Sequence, residues 1–177
     1  MINEMGITVN PDLATFAVGV DTDSVSDPES SDQDFNDLVF FTTHLAPPPR
    51  SFPEDGTLRA RIGKGEENFR EIGCAGCHVS ALEGAEGPVA AYSDFLLHNV
   101  ANPERLNVPE DGVEPSEFRT AALWGLRFTA PYMHDGAAES IRAAILLHFG
   151  EADAAKTAFL GLNFDQQSKL IEFLLSL

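Results

Sequence analysis

Two cysteines and a histidine, Cys74, Cys77 and His78, form the pattern Cys-x-x-Cys-His. This spacing suits covalent haem attachment, because each thiol can add to one haem vinyl group while the next side chain reaches the iron. A structural zinc site would need a second Cys/His pair, and a redox dithiol of the thioredoxin kind would need a βαβ context. The sequence offers neither, and it contains no other cysteine. The pattern therefore predicts one covalently bound haem c with His78 as an iron ligand.

A six-coordinate haem iron needs a second strong ligand, usually histidine or methionine. His148 lies on the apolar face 141–145 of a predicted helix, which could aim its ring rigidly. His134 lies in the turn-like stretch 131–136, where Asp135 could instead fix its tautomer. The residues alone favour His148 and leave four candidates open: His98, Met133, His134 and His148.

Helical periodicity organises much of the remaining chain, and no segment of useful length alternates with the period of a strand. The final helix should open with a capping box formed by Asn163 and Gln166. We therefore predict an all-α fold. The other predicted helices run from Ser31 to about Leu45, from Glu66 to Ile72, from Ser140 to Gly150 and from Asp153 to Leu160.

The chain of 177 residues is long enough for one core and an ordered extension. Pro47, Pro48 and Pro49 end the first predicted helix and begin a proline-rich hinge. Residues 1–55 are accordingly predicted to form an N-terminal extension and interdomain-type segment, a loop plus one helix. Residues 56–177 are predicted to form a c-type cytochrome domain.

The balance of 28 acidic against 11 basic residues gives a net charge of −17. This charge argues against nucleic acid and anionic membranes as partners and is compatible with a basic redox partner. No apolar run reaches the length of a membrane span, and no signal peptide is expected, since no lysine or arginine precedes Arg50. Because haem c is normally attached after export, we expect a periplasmic or otherwise extracytoplasmic protein whose signal has been removed, or a fragment of a longer chain.

Four segments of the sequence carry a family resemblance: 92–98, 118–127, 129–136 and 144–148. Together they resemble the bacterial di-haem oxidoreductase family, also labelled thiol oxidoreductases and related to the di-haem cytochrome c peroxidases. Two further segments resemble the linker that joins the two haem domains in that family: 38–41 and 45–48. The resemblance implies a cytochrome c-like haem domain.

The resemblance also implies roles for individual residues. His148 falls where the peroxidases place the methionine ligand of their high-potential haem, which suggests bis-histidine ligation by His78 and His148. His134 and His98 then become pocket residues. Arg119, or Arg127, is expected to meet a haem propionate.

The chain departs from the family in having one Cys-x-x-Cys-His motif where members carry two. We therefore interpret it as the C-terminal, electron-transfer half, whether a single-haem protein, a subunit or part of a longer chain. Two axial histidines leave the iron no open site, so electron transfer to or from a redox partner or second haem domain is the favoured function, with no catalytic residue. The alternatives are a peroxidase or other oxidoreductase acting as half of a di-haem enzyme, and a purely structural haem module.

Overall fold

The computed structural model describes residues 7–10, 12, 24–85, 87–106 and 112–177. The chain forms two compact units, Met1–Ala46 and Pro47–Leu177. The domain boundary expected after residue 55 stays a prediction. None of the helices in the described ranges is long and apolar enough to cross a lipid bilayer.

The first unit contains helix α1, Asp32–Thr43. Ser31 begins this helix, because its hydroxyl oxygen accepts the N–H of Asp34, one of the donors that a helix N-terminus leaves unpaired. Asp32 and Asp34 place negative charge at the same end, where the helix dipole favours it. No residue of α1 is buried. The helix expected to follow Ser31 is therefore present.

The described residues of the second unit include four helices and three 3₁₀ turns. Side-chain caps begin three of the helices, and the predicted capping box of Asn163 and Gln166 is formed in full. The helices are α2 (Gly56–Glu71), α3 (Ile141–Leu146), α4 (Asp153–Gly161) and α5 (Phe164–Leu174). The 3₁₀ turns are Cys74–Gly76, Leu126–Phe128 and Gly150–Ala152.

Helix α2 is longer than the sequence predicted. The expected helix began at Glu66, because Gly63 and Gly65 suggested an interruption. Instead, Gly65 lies buried inside the helix, where an added Cβ would stand 1.9 Å from the main-chain oxygen of Lys169. The missing side chain lets the backbone of α5 pack directly against α2. Gly65 is thus a packing residue and not a helix end.

Large apolar side chains from the helices form the core of the second unit. Phe159, Leu170 and Phe173 are fully buried. The ring of Phe173 lies 5.3 Å from that of Phe69 on α2 and 5.7 Å from that of Tyr92, measured between centroids. Edge and tilted contacts of this kind add to the free energy gained by burying the rings. The core thereby reaches the segment around Tyr92, which supports the haem motif.

The predicted all-α class is wrong, because the described residues include two small antiparallel sheets. Strand β1 (Leu82–Gly84) pairs with β2 (Gly87–Val89), and β3 (Leu97–Asn99) pairs with β4 (Glu117–Arg119). Each strand has three residues, too few to show alternation with period two. Residues 100–116 separate β3 from β4, so no short hairpin turn marks the pair in the sequence. The fold is mixed α/β, with a helical core.

The stretch after β4 holds Trp124, the chain's only tryptophan. Its indole N–H donates a hydrogen bond of 2.8 Å to the main-chain oxygen of Ala90. The preceding residue, Leu123, donates its main-chain N–H to the oxygen of Ala91 at 3.2 Å. These bonds hold the stretch against the residues that lead into Tyr92.

Candidate haem site

The Cys-x-x-Cys-His motif lies in a tight turn immediately after α2. Gly73 adopts φ = +95°, a left-handed conformation that ends the helix and that glycine tolerates best. The 3₁₀ turn Cys74–Gly76 follows, and the N–H of His78 donates to the oxygen of Cys74 at 3.0 Å. The turn therefore places both cysteines and the histidine within five residues of one compact loop.

Both cysteines are free and partly buried. Burial raises the pKa of Cys74 to about 11, and burial, with smaller contributions from Asp94 and Glu151, raises the pKa of Cys77. A redox dithiol normally has a cysteine with a lowered pKa, because its thiolate is the reactive form. These thiols are protonated at neutral pH and do not match that class of site.

The imidazole of His78 is fixed by the main chain. Its Nδ1 lies 2.8 Å from the main-chain oxygen of Tyr92. Since a carbonyl oxygen only accepts, Nδ1 must carry the proton, and Nε2 of the neutral ring keeps a free lone pair. Burial lowers the pKa of His78, which favours this neutral ring. Ser93 and Asp94 secure the accepting segment by donating their N–H groups to the oxygens of Val79 and Cys77.

His148 has the same arrangement two residues beyond the end of α3, because this helix stops at Leu146 and not near Gly150 as the sequence predicted. Its Nδ1 lies 2.8 Å from the main-chain oxygen of Ala144, one helical turn earlier, so Nε2 again keeps its lone pair. Burial, with a smaller contribution from Lys156, lowers the pKa of His148. A smaller contribution to the lowered pKa of His78 comes from His148.

The Nε2 atoms of His78 and His148 are available to a ligand. In the described ranges neither atom has a hydrogen-bond partner, although both Nδ1 atoms do. No side-chain nitrogen or oxygen in these ranges is both fully buried and unpaired, so neither Nε2 is fully buried. Two neutral imidazoles with a fixed Nδ1–H and a free Nε2 are the donor set that haem iron accepts. The residues present therefore fit a haem.

His98 differs from these two histidines because both of its ring nitrogens face carboxylates. Nε2 lies 2.8 Å from Asp94 and Nδ1 lies 3.0 Å from Glu151. The hydrogen bond to Glu151, followed by that to Asp94, raises the pKa of His98. A ring that donates from both nitrogens has no lone pair for a metal. Donor atoms of Cys77, Asp94 and His98 lie within 4.8 Å of one another, but the proton on His98 already satisfies Asp94.

The remaining candidates from the sequence lie in other surroundings. His134 is exposed, and its ring centroid lies 4.5 Å from that of Phe118 on β4. Arg119 is exposed with its guanidinium 5.6 Å from the ring centroid of Phe95. Within the part of the chain that the structure describes, no hydrogen bond or ion pair joins either residue to His78 or His148. The ligand roles of His78 and His148 and the pocket roles of Arg119 and His134 therefore stay predictions.

Sequence reasoning missed the carbonyl groups that orient the two rings. Ala144 stands four residues before His148, so its bond to the ring follows from the helical spacing and could have been predicted. The bond from His78 to Tyr92 spans 14 residues of irregular chain, and no sequence signal marks it. Glu151 was also missed, because its contact with His98 joins residues 53 positions apart.

The relationship to known proteins agrees with this site. The family model described as "Di-haem oxidoreductase, putative peroxidase" matches residues 12–177. The chain belongs to this family. The resemblance found in the sequence is thereby confirmed. The family description supports haem binding and an oxidoreductase function at this general level.

Two individual proteins show how far the likeness extends. Cytochrome-c peroxidase IdrP2 of Pseudomonas sp. (strain SCT) is 29% identical over 98 residues, which are 55% of this chain and 24% of that protein. A chain of hydrazine synthase from Kuenenia stuttgartiensis, solved under xenon pressure, matches with a TM-score of 0.62 and 17% identity, over 84% of this chain and 56% of that chain. The second likeness concerns the fold alone. The chain thus corresponds to about a quarter of the curated relative and about half of the solved one.

Proposed function

We propose that this member of the di-haem oxidoreductase family is an electron-transfer domain with one covalent haem c, bound by Cys74 and Cys77 and ligated by His78 and His148. One observation carries the proposal. Two partly buried imidazoles each donate Nδ1–H to a main-chain oxygen, and each leaves Nε2 without a hydrogen-bond partner among the described residues. When bound, haem supplies an iron that gains and loses one electron.

The protein's own residues determine what that iron can do. Two rigidly held imidazoles would occupy both axial positions, so peroxide would find no open position and electron transfer would be favoured. The main-chain carbonyl acceptors hold each ring in one tautomer without introducing a titrating group of their own. Arg119 is proposed to bind a haem propionate, since no described residue forms an ion pair with it, and His134 is proposed as a pocket residue.

The electron partner is proposed to be a second haem domain or a separate redox protein. The net charge of −17 favours a partner with a basic surface. Attachment of haem through two thioethers supports a periplasmic or otherwise extracytoplasmic location.

A second candidate is a role as half of a di-haem peroxidase. The family description and the similarity to a cytochrome-c peroxidase favour it. In that case catalysis would need a second haem, because the candidate site offers two ligands to one iron.

Optical and electron paramagnetic resonance spectra of the haem-loaded chain test the proposal. A low-spin ferric spectrum without a methionine–iron charge-transfer band is expected, together with peroxide turnover no faster than that of free haem. A high-spin ferric spectrum would contradict bis-histidine ligation. Rapid peroxide turnover with a small electron donor would favour the second candidate.

A further inference from the structure

His98 on strand β3 bridges two carboxylates that belong to different parts of the site. Its Nε2 lies 2.8 Å from Asp94, and its Nδ1 lies 3.0 Å from Glu151. The side chains of His98 and Asp94 are largely buried, at 18% and 14% exposure, whereas that of Glu151 is 55% exposed. Because both carboxylates accept, the ring donates to each, and charge assists both bonds.

Asp94 belongs to the segment that orients His78. Its main-chain N–H donates to the oxygen of Cys77 at 2.9 Å. Two residues earlier, the oxygen of Tyr92 accepts the Nδ1–H of His78. A restraint on Asp94 is therefore a restraint on the acceptor that fixes the His78 ring.

Glu151 belongs to the segment that follows His148. Its second carboxylate oxygen accepts the main-chain N–H of Asn99 at 2.7 Å. The N–H of Phe149, directly after His148, donates to the oxygen of Val100 at 3.1 Å. An added Cβ on Gly150 would stand 2.3 Å from the oxygen of Asn99. The backbone after His148 thus lies closely against the end of β3.

We propose that His98 is a positioning residue that holds the His78-bearing and His148-bearing segments in register through Asp94 and Glu151. The inference rests on the proposed function in that His78 and His148 are taken as the iron ligands. His98 itself does not bind iron in this scheme. It limits how far the two ligand-bearing segments can move apart.

Replacing His98 with alanine in the haem-loaded chain tests this role. Carbon monoxide must displace an axial histidine from ferrous iron, so its binding rate reports how often that bond opens. We expect the rate to rise about tenfold in His98→Ala, with altered low-spin g-values in the ferric protein. The amides of Asn99 and Phe149 should also exchange with deuterium about tenfold faster. His44→Ala, in the first unit, is the matched control and should leave all three readouts unchanged.

Glu151→Gln provides a second variant that removes little structure. A glutamine oxygen can keep the bond to the Asn99 amide, but the glutamine amide nitrogen can bond to Nδ1 of His98 only if the ring loses the proton whose charge assists both bonds. We expect the same changes in carbon monoxide binding and g-values, smaller than those in His98→Ala. His98→Arg, which keeps a cationic donor for two carboxylates, should restore part of the wild-type behaviour.

Unchanged carbon monoxide binding and g-values in His98→Ala would overturn the positioning role. If His98→Ala does not fold, Glu151→Gln decides alone, and wild-type readouts in that variant would overturn the role as well. The proposed function is tested independently of the role of His98, because its test is the spectrum of the unaltered chain. A high-spin wild-type spectrum would reject bis-histidine ligation, and faster amide exchange in His98→Ala would still locate the restraint on the backbone.

Discussion

At the scale of single residues, the histidines are distinguished by what their ring nitrogens face. His78 and His148 each face one main-chain oxygen, so each keeps one basic nitrogen. His98 faces two carboxylates and keeps none. The same residue type therefore provides two candidate iron ligands and one cation within a single site, because the acceptors around each ring differ in number and charge.

Replacing Cys74 and Cys77 with alanine should abolish covalent haem attachment. Thioether bonds survive denaturation, so haem in the matured wild-type chain should stay with the polypeptide during extraction with acidic acetone. In the double variant the haem should pass into the acetone. Absorbance of the two fractions measures the distribution. Haem that extracts freely from the wild type would contradict covalent attachment.

Replacing His148 should change the iron spectrum far more than replacing His134. His148→Ala should leave an axial position that binds carbon monoxide in the ferrous state. His148→Met should raise the reduction potential, because a thioether ligand favours ferrous iron. Spectroelectrochemistry measures both effects, with His134→Ala as the comparison. A low-spin spectrum that survives in His148→Ala and disappears in His134→Ala would place the ligand in the turn at 131–136.

At the scale of elements, α2 connects the core to the haem motif. The helix packs against α5 at Gly65 and ends directly before the turn Cys74–Gly76. Asp55 begins it by accepting the N–H groups of Thr57 and Leu58. Because the motif follows the last turn of α2, the position of that helix on α5 sets where the haem-binding turn lies relative to the core.

Gly65→Ala should destabilise the fold strongly, since its Cβ would stand 1.9 Å from the Lys169 oxygen. Overpacking of this kind costs on the order of 3 kcal/mol. Gly63→Ala is the matched control in the same helix, where an added Cβ meets nothing within 4 Å. The free energy of unfolding of that control should rise by roughly 0.5–1 kcal/mol, because alanine has the higher helix propensity. Urea unfolding followed by circular dichroism measures both free energies, and equal effects of the two substitutions would contradict the packing role of Gly65.

The elements differ in how far the sequence could predict them. Helices α1 and α5 have caps and periodic apolar faces, so Ser31 and Asn163 indicated their starts. The first half of α2 could not be recognised, because a glycine that permits close helix packing has the same local signature as one that interrupts a helix. The pairing of β3 with β4 depends on contacts across residues 100–116. The haem motif was visible because its chemistry is local, whereas the bridge from His98 to Glu151 is formed only in the folded chain.

At the scale of the whole molecule, the charge of −17 sets the long-range electrostatics. A protein of this charge attracts basic surfaces, and salt screens that attraction over a Debye length of about 8 Å at physiological ionic strength. The partly buried imidazoles of His78 and His148 respond to pH differently from the surface carboxylates. Their pKa values are lowered by burial, so folding opposes their protonation.

The stability of the haem-free chain should fall as pH decreases below 6.5. Below this pH the histidines of the unfolded chain bind protons, whereas His78 and His148 in the folded chain stay neutral to lower pH because their pKa values are lowered. Proton binding therefore stabilises the unfolded state relative to the folded state. His98 has a raised pKa and acts in the opposite sense. Its contribution to the free energy of unfolding is constant below pH 6.5 and is lost as the pH rises above 6.5, so it does not affect the slope measured here. Urea midpoints between pH 6.5 and 5 measure the slope. The slope should be smaller in His148→Ala. An unchanged slope would contradict a lowered pKa of His148 in the folded chain.

Trp124 gives the molecule an internal fluorescent reporter. It is the only residue whose indole emission can be observed, and its N–H bond to Ala90 ties it to the chain that leads into Tyr92. Haem absorbs in the range where tryptophan emits and quenches nearby fluorophores by energy transfer. The emission intensity of Trp124 should therefore report how many molecules have acquired haem, while its wavelength reports whether the indole has become solvated. One fluorimeter trace could then follow maturation and unfolding as separate events.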